Sequence, residues 1–168
     1  MVIFFLFRTM IQFLKGKVAD EFQVLDRLEP DVQIFRFDKS DVSYCDLSES
    51  EKEEEKANIL NGFNFSKKVL ETGESDVIIL DELLGLIDLG ILTEDDVEDL
   101  LRIQGDYRKL IITGTKLPEQ IRAYVDEVSE ILWDNIYVIV HSRKQKDFQL
   151  FERQLKVFFR WISINYKK

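Results

Sequence analysis

The run DVIILDE, residues 76–82, ends on two adjacent carboxylates, Asp81 and Glu82. An apolar run of this length reads as a buried strand. An acid at the carboxyl end of a parallel strand can hold Mg2+ against the phosphates of a nucleotide, while a second carboxylate orients water or substrate. The alternative is a strand that simply leaves the core on two solvated charges. Two further runs share the layout: KLIITG, 109–114, ends on Thr113 and Gly114, and IQFLKGK, 11–17, ends on Lys15-Gly16-Lys17. Lys15 could meet phosphate as a point charge where Gly16 lets the backbone approach, or the triplet could be a basic turn. Open parallel sheets bind ligands at the carboxyl ends of their strands. The three strand ends are therefore expected to border one crevice.

The elements that must position these residues alternate along the chain. FRTMIQFL (7–14), VQIFRF (32–37), DVIILD, KLIITG and NIYVIV (135–140) read as strands, and helical patterns separate several of them. That alternation predicts βαβ units around a mostly parallel sheet flanked by helices. Residues 47–73 read as one long helix, with Ser48 as N-cap, Gly73 beyond the end, and Ile59, Phe63, Ser66 and Leu70 at helical spacing. Its acidic run Glu51 to Glu55 is expected on the solvated face. LTEDDVEDLLRIQ, 92–104, opens on Thr93 with Asp96 three residues on, an approximate capping box. LPEQIRAYVDEV, 117–128, is read as a second crossover helix opening at Pro118.

Composition narrows the classes. The 168 residues are 45% hydrophobic and 33% charged, with seven Gly and two Pro, which fits one globular core and excludes collagenous or low-complexity chains. One Cys, Cys45, and one His, His141, rule out a disulfide framework or a Cys/His zinc site within one chain. The phenylalanine-rich start lacks the basic flank and cleavage site of a signal peptide, and Arg8 interrupts it too early for a transmembrane segment. A cytoplasmic location is expected. Net charge is −9, yet residues 141–168 carry eight Lys or Arg against two acids. The expected organisation is an α/β domain over 1–140 and a basic amphipathic helix or appendage over 141–168. One short basic segment on an acidic body does not make a nucleic-acid footprint.

Taken in order, IQFLKG, FRF, ETGESDVIILDELLGLIDLGIL and LIITGTKLPEQIRAYVDEVSEI resemble the P-loop ATP:corrinoid adenosyltransferases, over roughly residues 10–131. The resemblance implies a P-loop NTPase-like (RecA-like) sheet, a homodimer, and small-molecule substrates, ATP and a corrinoid. In that family the cobalt(I) of cob(I)alamin or of a cobyrinate precursor attacks the ribose 5′ carbon of ATP and triphosphate leaves, a step in cobalamin biosynthesis. It implies no side-chain nucleophile. Lys15, Gly16, Thr113 and Gly114 would border ATP, and Asp81 and Glu82 would hold Mg2+.

Two departures accompany the resemblance. The family opens with a strand, a G-x-x-x-x-G-K-[ST] loop and a helix, whereas here no glycine precedes Gly16. The first β-loop-α unit is thus expected to be missing. After the family's TG an Arg is usual, and Thr115 stands there, followed by Lys116. The competing expectation is a non-catalytic homologue acting as a binding or oligomerisation module.

Overall fold

The computed structural model describes residues 7–14, 32–40, 42–131 and 136–142. Four parallel strands form the heart of the sheet: β1 (Arg8–Gln12), β2 (Val32–Arg36), β3 (Val77–Asp81) and β4 (Lys109–Gly114). Between β2 and β3 runs α1 (Glu49–Thr72). Between β3 and β4 lie a single turn, α2 (Gly85–Asp88), and α3 (Glu94–Arg102). After β4 come one helical turn, α4 (Glu119–Arg122), and an antiparallel pair, β5 (Glu127–Ile131) and β6 (Ile136–Ser142). The strand order across the sheet is β2-β1-β3-β4-β6-β5.

Every residue of β3 and β4 is buried. That is the pattern of central strands covered on both faces, and it explains why VIIL and LII are continuous apolar runs rather than alternating ones. Ile59, Phe63 and Leu70 from α1 and Val97, Leu100 and Leu101 from α3 join Ile78, Leu80, Leu110 and Ile112 in the core.

The local chemistry that predicts α1 is present at both of its ends. The Ser48 hydroxyl accepts from the Glu51 N–H while Glu51 accepts from the Ser48 N–H, and Gly73 closes the helix at φ 65°. Thr93 and Asp96 form the same reciprocal box at the start of α3. Each box satisfies helix N–H groups that have no partner within the helix. One part of the expectation for α1 fails. Glu55 is only 6% exposed, and its carboxylate accepts the Lys39 N–H at 2.8 Å. It is drawn off the solvated face because the chain entering from β2 presents a backbone donor that must be satisfied.

Residues 117–128 also depart from the expected helix. Only Glu119–Arg122 are helical, and the chain then extends into β5. All five residues of β5 pair with β6, from Glu127 opposite Val140 to Ile131 opposite Ile136. Cross-strand pairing overrides the local helical spacing. The exposed Glu127, Ser129 and Glu130 put polar side chains on an edge strand, which discourages pairing with another chain. Strand β6 runs through Ser142, opposite Lys109 of β4. The tail helix expected beyond it lies outside the described residues. Among the described residues, no helix is long and apolar enough to cross a membrane.

Candidate functional site

Strand β1 connects outward to β2, while β3 connects the opposite way to β4. Their shared boundary is therefore a topological switch point, the place where open α/β sheets leave a crevice at their carboxyl ends. Gln12 ends β1 and Asp81 ends β3, and the parallel register sets them side by side. The same rung pairs Gln12 with Arg36 at the end of β2.

Side chains link this rung from strand to strand. Arg36 Nε donates to Gln12 Oε1 at 2.7 Å, and Gln12 Nε2 donates to Asp81 Oδ2 at 3.1 Å. Thr113 Oγ1 of β4 donates to Asp81 Oδ1 at 2.8 Å and accepts from the Glu82 N–H at 2.8 Å. Gln12, Asp81 and Thr113 are all 0% exposed. A carboxylate so deep in the sheet requires hydrogen-bond donors. An amide and a hydroxyl supply two of them here and orient the carboxylate.

The chain leaves Asp81 through a strained turn. Glu82 adopts φ 60°, a left-handed conformation uncommon for a residue with a side chain. The turn is clasped from both sides. Leu84 N–H donates to the Thr113 carbonyl at 3.2 Å, and Phe13 N–H donates to the Asp81 carbonyl at 3.0 Å. Gly114 permits the first contact, because a Cβ there would lie 2.5 Å from Leu84 Cβ. Gly85 permits another, since a Cβ there would meet Glu82 Oε1 at 2.7 Å and Leu14 Cδ1 at 3.1 Å. Leu14, just past β1, is itself left-handed at φ 39°. The two strained residues thus lean on one glycine. Leu14 also lines a hollow beside this edge, together with Asp38, Ser40, Tyr44, Glu55 and Ile59.

Of the residues singled out by sequence, Asp81, Glu82, Thr113 and Gly114 converge here. Lys15 and Gly16 lie outside the described residues. Lys116 is engaged by Asp88, Nζ to Oδ1 at 3.0 Å. Sequence reasoning missed Gln12 and Arg36. The available signal was a polar residue, Gln12, inside an apolar strand pattern, where burial demands a partner.

A family model described as ATP:corrinoid adenosyltransferase BtuR/CobO/CobP matches residues 7–138. No curated protein matches the chain. The family match spans most of the 168 residues and runs from β1 into β6, so the class that the fold defines is an α/β protein with a mostly parallel sheet. The chain belongs to the ATP:corrinoid adenosyltransferase family.

Proposed function

We propose that the chain transfers the adenosyl group of ATP to the reduced cobalt of a corrinoid, cob(I)alamin or a cobyrinate precursor, with Asp81 at the phosphate end of the site. The observation that carries this reading is the Asp81 carboxylate, fixed by Gln12 and Thr113 at the switch point of a sheet from this family. In the transfer a cobalt–carbon bond forms at the ribose 5′ carbon, the C5′–O bond breaks, and triphosphate leaves with the electron pair. The protein's part is to bring the reactants together in line and to stabilise the charge of the leaving group.

The residues fit a Mg2+ ion of the kind that accompanies nucleotides. Among the described residues no cluster of three His, Cys, Asp or Glu side chains is placed to hold a metal. Nucleotide-bound Mg2+ needs no such cage, since waters and phosphate oxygens supply most of its ligands beside one or two carboxylates. Asp81 is enclosed in the sheet, so it would act on the ion through water, with the partly exposed Glu82 adjacent. Bound there, the ion would neutralise phosphate charge. Thr113 and Gln12 keep the Asp81 oxygens aimed, while Gly85 leaves room for the Glu82 carboxylate.

One sequence fact favours the second reading, a non-catalytic binding or oligomerisation module: Thr115 follows Gly114 where an Arg suited to phosphate charge is usual in the family. Calorimetry with MgATP and an adenosyl-transfer assay on the full chain and its Asp81→Asn variant separate the two. Mg2+-dependent transfer that is lost in the variant supports the transferase. Absence of both ATP binding and transfer in the parent chain supports the module, and near-normal transfer in the variant removes Asp81 from the site.

A further inference from the structure

We infer that Arg36 is a positioning residue for Asp81, acting through the side-chain amide of Gln12. This inference rests on the reading of Asp81 given above and extends it to a residue two strands away. A glutamine amide can point either end at a neighbour, and the two ends have opposite character. An ionised carboxylate only accepts hydrogen bonds and a guanidinium only donates them. Gln12 stands between one of each, at the same rung of three adjacent parallel strands. With Arg36 Nε on Oε1 at 2.7 Å, the amide's NH2 end is left for Asp81 Oδ2 at 3.1 Å. Without Arg36, the amide oxygen loses the donor that anchors it, and the NH2 end is held against Asp81 less firmly. The Gln12 bond that helps to aim Asp81 Oδ2 would then loosen, while the Thr113 bond to Oδ1 stays.

Arg36 is well suited to the task. Its guanidinium is planar and permanently charged, so the direction of its Nε–H is fixed by a rigid fork. The residue ends an edge strand and is only partly buried, whereas Gln12 is fully enclosed. The charge therefore sits where water can solvate part of it, and a neutral amide carries its orienting effect into the sheet. Removing the outer partner of a carboxylate at a metal site typically weakens metal affinity about 10–100-fold.

The test uses the full chain and its Arg36→Met, Gln12→Leu and double variants, with Asp81→Asn as a reference. In 15N-labelled protein, the Gln12 side-chain amide protons should exchange slowly in the parent and faster in Arg36→Met. Transfer assays should show the Mg2+ concentration for half-maximal rate rising about tenfold in Arg36→Met. In the Gln12→Leu background, Arg36→Met should cause no further rise, because its route of action is gone. A merely structural Arg36 would lower the melting temperature without this Mg2+ shift or its dependence on Gln12.

Unchanged Gln12 amide signals in Arg36→Met overturn the inference, as does an undiminished Arg36→Met effect in the Gln12→Leu background. If Asp81→Asn retains normal Mg2+-dependent transfer, the functional reading falls, and the amide signals alone then decide whether Arg36 orients Gln12. Should Arg36→Met fail to fold, Arg36→Lys, which keeps the charge without the fork, is read by the same measurements.

Discussion

The Thr113 hydroxyl donates to Asp81 Oδ1 at 2.8 Å, and it can do so in only one way. The same oxygen accepts the Glu82 N–H, so its single proton is committed to the carboxylate. One hydroxyl at the end of β4 therefore both orients the acid at the end of β3 and holds the turn that follows it.

Thr113→Val keeps the shape and removes both bonds, leaving a buried carboxylate oxygen short of a donor and the Glu82 N–H without its acceptor. A loss of about 1–3 kcal/mol is expected in urea unfolding. Thr113→Ser keeps the hydroxyl and should recover most of it, with Mg2+-dependent transfer following the same order. Equal stability of the Val and Ser variants would show that the hydroxyl is not what secures the turn.

Glu55 offers a second check, away from the strand ends. Its carboxylate holds the Lys39 N–H under the first turns of α1. Glu55→Ala orphans that donor and is expected to cost about 1–3 kcal/mol. Glu55→Gln retains a side-chain oxygen acceptor and should cost less. A thermal melt of the three proteins suffices, and an Ala variant as stable as the parent would mean that water replaces the carboxylate.

What the sequence made legible follows from the range of the forces involved. Ser48 with Glu51 and Thr93 with Asp96 announce their helices because the capping partners are three residues apart. Asp81 and Thr113 were recognisable as strand-end residues because parallel strands bring their carboxyl ends to one edge. Glu55, β5 and the relay through Gln12 and Arg36 were not legible, since each depends on a partner from another segment: Lys39, β6, Asp81. Local spacing around Glu127–Ile131 contains no information about β6, and the acidic run around Glu55 none about the Lys39 N–H.

The helix caps predict a pH response. Asp96 accepts from the Thr93 N–H and hydroxyl at 2.8 and 2.7 Å, and these bonds hold its carboxyl below the usual aspartate range. The group is more acidic folded than unfolded, so its contribution is complete above the unfolded pKa of about 4 and fades as pH falls toward the lower folded value. Glu51 is shifted the same way by Ser48. Asp96→Asn should flatten the fall in melting temperature below about pH 4 relative to the parent, with little change in its slope near neutrality. An unchanged acid limb would place the acid sensitivity elsewhere.

The strain at Glu82 sets stability against function. Its φ of 60° costs about 1–3 kcal/mol in a residue with a Cβ and nothing comparable in glycine. The turn places the Glu82 carboxylate over Gly85, where a side chain would collide with Glu82 Oε1. Conformational economy alone would favour glycine at position 82, and a strained acid stands there instead. Glu82→Gly is therefore expected to raise stability by about 1 kcal/mol, after allowing for the greater entropy of an unfolded glycine, while adenosyl transfer falls. Gly85→Ala should act from the opposite side, displacing the same carboxylate by steric pressure and lowering transfer as well. Urea midpoints measured beside transfer rates read both effects. A Glu82→Gly protein that is less stable than its parent would show that the carboxylate's own contacts outweigh the backbone strain, and the left-handed turn would then need no functional explanation.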